Sequence, residues 1–349
     1  MDDPSDSRGG PLPGAAPLIA IVGATATGKS DLAIALARQL DGEVVGADAL
    51  QLYRGMDIGT AKVPPTERDG IPHHLIDVLE VTEEASVSAY QRAAREAIAA
   101  IRARGRTPIL VGGSGLYVRA VLDDIEFPPT DAATRARLEA RAAHEGPRAL
   151  HAQLAGSDPE AAAAIGPGDT RRIVRALEVG ELTGRSFTAF LPRPQYVQQG
   201  TVQIGLRLER ADLHSRIARR VDRMVDLGLL QEIRDLRVRG LDRGATARRA
   251  IGYEQGLAVL EGTMSCADAI ESTIVGTRRL VRKQDTWFRR DHRVRWIDAD
   301  ADGDADGAPG APGAPATAPR RTIDSALAQI EAGITAARSD SDAGRRLEP

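Results

Sequence analysis

Cysteine is nearly missing from this chain: Cys266 is the only one in 349 residues. A lone thiol excludes an internal disulfide framework and any zinc site built on cysteines, and it suits a reducing compartment, so a cytoplasmic location is expected. Long apolar runs are missing too, and none approaches the ~20 residues that cross a bilayer. Residues 1–17 lack the basic and then apolar pattern of a secretory signal. They are polar, rich in Pro and Gly and acidic at the start, and are expected to form a disordered leader. His73 and His74 have no cysteine or third ligand near them in sequence, which favours a structural role over a metal site. What remains, 42% hydrophobic and 27% charged, is the composition of a globular protein long enough for two domains.

What is present starts with an apolar strand, Leu18 to Val22, running into Gly23, Ala24, Thr25, Ala26, Thr27, Gly28, Lys29 and Ser30. The spacing is that of a P-loop. Glycines let successive amides point into one hollow at the positive end of the following helix, and the hollow holds a di- or triphosphate. Lys29 adds a charge toward the terminal phosphates, and the Ser30 hydroxyl is placed to hold Mg2+. The helix over 31–40 is built from good helix formers and stops before Asp41-Gly42.

Charge is unevenly spread. Residues 298–349 hold ten acidic side chains and five arginines, so that stretch is −5 and the rest of the chain is +2. Arg278, Arg279, Arg282, Lys283, Arg289, Arg290, Arg293 and Arg295 crowd one segment, a stripe that suits a phosphate backbone or a solvated helix face.

The alternation of strands and helices predicts an α/β fold, a P-loop core around a parallel sheet with an all-helical insertion. A second strand at 43–46 ends at Asp48, near the P-loop strand, where the carboxyl ends face one crevice. Asp48 can act there chemically or serve as a turn or cap aspartate. A third strand is expected over 72–78, an amphipathic helix over 86–104 closed by Gly105, and a fourth strand over 107–111. The last ends in Gly112 and Gly113, where P-loop ATPases usually carry an Asp for magnesium, and the glycines point to something large approaching the backbone. Between Pro128-Pro129 and Pro192-Arg193-Pro194 the strands give way to Ala-rich helices, with Arg171, Arg172 and Arg175 following an N-cap at Asp169 or Thr170. A strand over 202–207, a helix from Asp212 carrying Arg216 and Arg220 on one face, further helices and a short strand at 294–296 complete the core. The expected division is a leader 1–17, core 18–126, helical insertion 127–199, core 200–297, and a low-complexity acidic tail 298–349, flexible apart from a marginal helix over 323–337.

Six blocks in order, GATATGKS, GADALQLYRGMDIGTAK, ILVGGSGLYVRA, RRIVRALEV, ARRAIGYEQ and TRRLVRKQDTWFRR, resemble the bacterial tRNA dimethylallyltransferases over residues 18–297. The resemblance implies transfer of a dimethylallyl group from dimethylallyl diphosphate to the exocyclic amine of the adenosine 3′ of the anticodon, with magnesium. It implies Asp48 as general base, Thr25 at the diphosphate near the scissile oxygen, and Lys29 and Arg220 on the same phosphates. For the tRNA it implies contacts from Asp48, Ala49, Leu50, Gln51 and Ser114, from Arg135, from Arg171, Arg172, Ile173, Val174 and Arg175, from Arg249, Ala250, Ile251, Gly252, Tyr253 and Glu254, and from Arg278, Arg279, Arg282 and Lys283. The insertion would clamp the anticodon stem-loop, and the enzyme is expected to be a monomer away from membranes. On this reading the P-loop holds a leaving group, not a phosphoryl donor, so ATP is not the ligand. Three positions depart from the family pattern: Ala49 replaces a serine, Glu254 a basic residue and Ala24 a proline. The alternative is a P-loop kinase, which would consume a nucleoside triphosphate and have no use for a basic insertion.

Overall fold

The computed structural model describes residues 16–190, 195–198, 200–300 and 318–345, with side chains as far as 337. Most of the leader, the Pro192–Pro194 boundary and the Gly-Ala-Pro repeats lie outside the described residues.

The chain divides into two units, Met1–Leu122 with Tyr196–Pro349, and Asp123–Gln195. In the first, β1 (Leu18–Gly23) is buried along its whole length, as a strand covered on both faces must be. It leads through the P-loop to α1 (Lys29–Gln39). Then come β2 (Gly42–Gly46), β3 (His73–His74), α2 (Val87–Ala103), β4 (Thr107–Gly112) and α3 (Gly115–Leu122). With β5 (Thr201–Arg207) and β6 (Val294–Asp298) from later in the chain, the sheet is parallel in the order β3-β2-β4-β1-β5-β6. Strand 2 is therefore not the neighbour of the P-loop strand, because β4 stands between them. The strand expected over 72–78 shortens to two residues, since Leu75 (φ 59°) and Asp77 (φ 57°) adopt left-handed backbone that no strand can continue through.

Side chains of β1 alternate between two cores, as a period of two requires. Leu18, Ala20 and Val22 pack with Tyr90, Ala94, Ile98 and Ile101 of α2 and with Val118 and Val121 of α3. Ile19 and Ile21 face Leu32, Leu36 and Ala37 of α1 on the other side. The helix α2 starts at Ser86, whose hydroxyl accepts the Ala89 amide, and ends before Gly105 at φ 74°.

The second unit carries α4 (Ala132–Glu145), α5 (Pro147–Ser157), α6 (Pro159–Ala164) and α7 (Thr170–Thr183). Leu138, Leu150, Leu154, Ile165, Ile173 and Leu177 form its own core. Asp131, Asp158 and Asp169 cap three of these helices through their carboxylates.

The first unit resumes with β5 (Thr201–Arg207), α8 (Arg210–Asp226), α9 (Leu229–Val238), α10 (Tyr253–Leu260), α11 (Cys266–Arg289), β6 (Val294–Asp298) and α12 (Arg320–Arg345). The last helix takes up the marginal helix expected over 323–337, but is longer and docked on the core. Ile323, Leu327, Ile330 and Ile334 recur at helical spacing, and α12 lays that stripe on the α1 side of the sheet, with Ala326 and Ile330 buried. At Gly333 an added Cβ would meet the Val202 side chain of β5 at 2.8 Å. The Asp and Gly-Ala-Pro content of the preceding run masked this stripe in the sequence.

Candidate active site

The P-loop leaves β1 at Gly23 (φ 138°) and enters α1 after Gly28 (φ 87°). At Gly23 a Cβ would lie 2.5 Å from the Leu206 carbonyl, so only glycine fits beside β5. Ala26 also takes a left-handed backbone (φ 63°), and the Thr27 hydroxyl closes the loop on the Ala24 carbonyl at 2.9 Å. Ala24, at the position of a customary proline, is buried against Leu213, Ile217 and Val281. Lys29 Nζ reaches back to the same Ala24 carbonyl. Burial first, and then the Arg220 guanidinium, push the Lys29 pKa down to about 8, while Asp48 opposes the shift. Ser30 follows Lys29 in the first turn of α1.

Lys29 thus lies within the fields of both Arg220 and Asp48, the other charged groups expected at the reacting centre. Asp48 lies just past the end of β2, and its Oδ1 accepts the Leu50 amide at 2.9 Å, fixing the carboxylate. Asp48 thus holds a turn, the structural role the sequence allowed for it. Ser114 Oγ accepts the Ala49 amide at 3.4 Å, tying the end of β4 to the end of β2. The Tyr90 hydroxyl donates to the Gly46 carbonyl at 2.9 Å. Burial, Tyr53 and then Asp48 push the Tyr117 phenol up to about 12. Arg220 Nη2 and Gln51 Nε2 both donate to the Thr60 carbonyl, at 3.4 and 3.1 Å.

Gln284, which sequence reasoning missed, joins these parts. Its Oε1 accepts the Thr25 amide at 2.9 Å and its Nε2 donates to the Gly113 carbonyl at 3.0 Å. The Thr25 amide thus faces Gln284, correcting the picture in which every loop amide turns to the phosphates. A signal was available: Gln284 falls in the buried stripe of α11 between Val281 and Phe288, where a polar side chain needs partners. The glycines after β4 also have an internal reason. A Cβ at Gly112 would meet the Ala47 carbonyl at 2.1 Å, one at Gly113 the Gln284 amide at 2.5 Å, and one at Gly115 the half-exposed Trp287 ring at 2.1 Å. What approaches this backbone is the chain itself.

The residues assigned to RNA separate into two groups. Arg171 and Arg172 are exposed on α7, as are Arg249, Glu254, Arg279, Arg282 and Lys283 on the other unit. Arg278 is partly buried, with Nε unpartnered among the described residues. Burial and then Arg278, Arg210 and Arg282 lower the His214 pKa, marking one positive field shared by α8 and α11. By contrast, Ile173, Val174, Ala250 and Tyr253 are buried and have no side chain to offer. Arg135 and Arg175 hold the fully buried Glu178 carboxylate at 2.9 and 2.7 Å, and Arg175 also bonds the Pro128 and Pro129 carbonyls. Their first task is inside the helical unit. His74 bonds Glu43 at 2.6 Å and His73 the Ile71 carbonyl at 2.8 Å.

Residues 51–291 match the IPP transferase family. The chain belongs to that family. Relatives in it include the tRNA dimethylallyltransferases of Kocuria rhizophila, 59% identical over 83% of this chain and 91% of the relative, and of Streptomyces coelicolor, 59% identical over 82% and 91%. Among solved structures, the full-length tRNA isopentenylpyrophosphate transferase from Bacillus halodurans superposes with a TM-score of 0.62 at 39% identity, covering 91% of this chain and 97% of that one. A eukaryotic dimethylallyltransferase acting on tRNA gives 0.71 at 28% identity, covering 81% and 74%. The IPP transferase match spans both units, from Gln51 past β2 to Asp291 at the end of α11.

Proposed function

We propose that this chain is a tRNA-modifying prenyltransferase that moves a dimethylallyl group from dimethylallyl diphosphate to the exocyclic amine of the adenosine 3′ of the anticodon, releasing diphosphate. Family membership supports the reaction class, and the kinase alternative has no support in it. The observation that carries the residue roles is Lys29 at the foot of the P-loop in the field of both the Arg220 cation and the Asp48 carboxylate, with that carboxylate fixed by the Leu50 amide.

The chemistry follows from that arrangement. The P-loop amides, Lys29 and Arg220 hold the diphosphate and take up the charge that grows on it as the bond between C1 and oxygen breaks. Thr25, with its amide turned to Gln284, offers its hydroxyl near the scissile oxygen. The allylic carbon tolerates part of the positive charge, while the adenine amine is a weak nucleophile because its lone pair is conjugated with the ring. Asp48, oriented by the Leu50 amide, accepts the amine proton as the new C–N bond forms. No group of three His, Cys, Asp or Glu side chains among the described residues could cage a metal. Ser30, in the first turn of α1 beside Lys29, would be the residue that holds magnesium. Bound there, magnesium supplies charge neutralisation on the leaving group.

The adenosine must leave its stack to reach Asp48, at a cost of a few kcal/mol offset by contacts to the RNA. Arg171, Arg172, Arg279, Arg282 and Lys283 are the exposed cations that supply them. The test is transfer of label from radiolabelled dimethylallyl diphosphate to an anticodon stem-loop, with ATP as control. Magnesium-dependent label in the RNA without ATP is the expected result. ATP hydrolysis stimulated by a small acceptor, with unlabelled RNA, would replace it with a kinase.

A further inference from the structure

Glu232 lies on α9, outside the P-loop and outside all six sequence blocks, yet its carboxylate collects four donors. Oε2 accepts the amides of Asp57 and Ile58 at 3.1 and 2.8 Å. Oε1 accepts the Gly59 amide at 3.4 Å and the Tyr253 hydroxyl at 2.6 Å. Three successive backbone N–H groups turned onto one anion form a nest, and here the anion belongs to the chain itself. The loop also lies hard against Tyr253, where a Cβ on Gly59 would come within 2.4 Å of the ring. Burial and the neighbouring carboxylate keep that phenol protonated.

The residue that follows the nest is Thr60. Its hydroxyl donates to the Met56 carbonyl at 2.5 Å, and its own carbonyl accepts from Gln51 and Arg220. Those two side chains are the ones assigned above to opposite substrates, Gln51 to the RNA and Arg220 to the diphosphate. One carbonyl therefore serves both sides of the reaction, and its place is set by a loop that Glu232 holds.

We infer that Glu232 is a positioning residue that, by gripping residues 57–59, fixes the Thr60 carbonyl as a common anchor for Gln51 and Arg220 and so couples the grip on the diphosphate to the grip on the RNA. The inference rests on the proposed prenyl transfer. A mere brace would alter stability and leave the kinetics of the folded enzyme alone. An anchor alters the Michaelis constants of two chemically unrelated substrates together.

The test uses the full chain and steady-state kinetics for both substrates in Glu232→Ala, Arg220→Ala and the double variant. Glu232→Ala is expected to raise KM for dimethylallyl diphosphate and for the stem-loop and to lower kcat/KM by roughly 10- to 100-fold, the scale of a small misplacement of binding groups. Added to Arg220→Ala it should raise KM for dimethylallyl diphosphate little further, because the carbonyl has already lost that partner, while KM for the stem-loop still rises through Gln51. Glu232→Gln, which keeps an acceptor oxygen, should recover most of the loss. Tyr253→Phe removes one of the four bonds and should show the same two-substrate pattern on a smaller scale, which keeps the test open if Glu232→Ala does not fold. Losses in KM for dimethylallyl diphosphate that multiply independently in the double variant, or variants with lower melting temperature but wild-type KM values, would overturn the inference. An inactive wild-type chain would remove the prenyl-transfer reading and this inference with it, whereas active wild type with multiplicative losses removes this inference alone.

Discussion

Asp48 and Lys29 make the sharpest demands on single side chains. Asp48→Ala should lower the rate of prenyl transfer by at least ~10²-fold, as loss of a general base does, with stem-loop affinity nearly unchanged. Near-normal turnover in that variant would remove Asp48 as the base. For Lys29 the pKa of about 8 sets a pH dependence with a definite sign. Below that value the ammonium is present in the free protein and meets the diphosphate; above it, binding must first recruit a proton. Affinity for an unreactive dimethylallyl diphosphate analogue should therefore fall as pH rises, by roughly tenfold between pH 7 and 9, as followed by calorimetry. Lys29→Arg, always charged, should flatten that profile.

Among the elements, α12 carries the clearest prediction. The acidic run before it suggests that residues 299–349 can be deleted at little cost, but the helix covers one face of the sheet. Ile330→Ala should cost about 2–4 kcal/mol in a denaturant titration, the usual range for emptying a buried aliphatic site. Deletion of the segment should leave an aggregating or protease-sensitive protein rather than a trimmed enzyme. A fully stable, active deletion would show the packing to be dispensable. Elements with a strong local signal were legible in the sequence: β1 and the P-loop by motif, α2 by its cap and apolar spacing, β4 and β5 by their apolar runs. Strand order was not, because nothing local says that β4 enters between β1 and β2. At the site, Lys29 and Asp48 could be named from blocks of sequence, and Arg220, outside those blocks, from the resemblance to the family. Glu232 lies outside every block, and Gln284, though inside the last one, was marked only as a polar side chain in an apolar stripe; each matters through backbone groups far away in the chain, Thr25 and Gly113 for Gln284 and residues 57–59 for Glu232. Ile173 and Val174 show the converse, as a basic block holds its core residues and its exposed arginines side by side.

For the molecule as a whole, the cations expected to meet RNA lie on both units, and a polyanion that touches several of them releases counterions from each contact. Stem-loop affinity should fall steeply with salt, and Arg171→Ala and Arg172→Ala should each flatten the slope of log K against log salt by about 1, leaving donor affinity as it was. An unchanged slope would take α7 out of the RNA interface. The docking of α12 also bears on how the protein is made. The core on the α1 side joins residues near both ends of the chain, Ile19 and Ile21 with Ala326 and Ile330. Until α12 has been made, α1 is left to cover that face alone, and the apolar surface around Val202 of β5 stays open to chaperones and proteases. A chain on which α12 has not docked is therefore set apart by the apolar surface it leaves open on that side of the sheet.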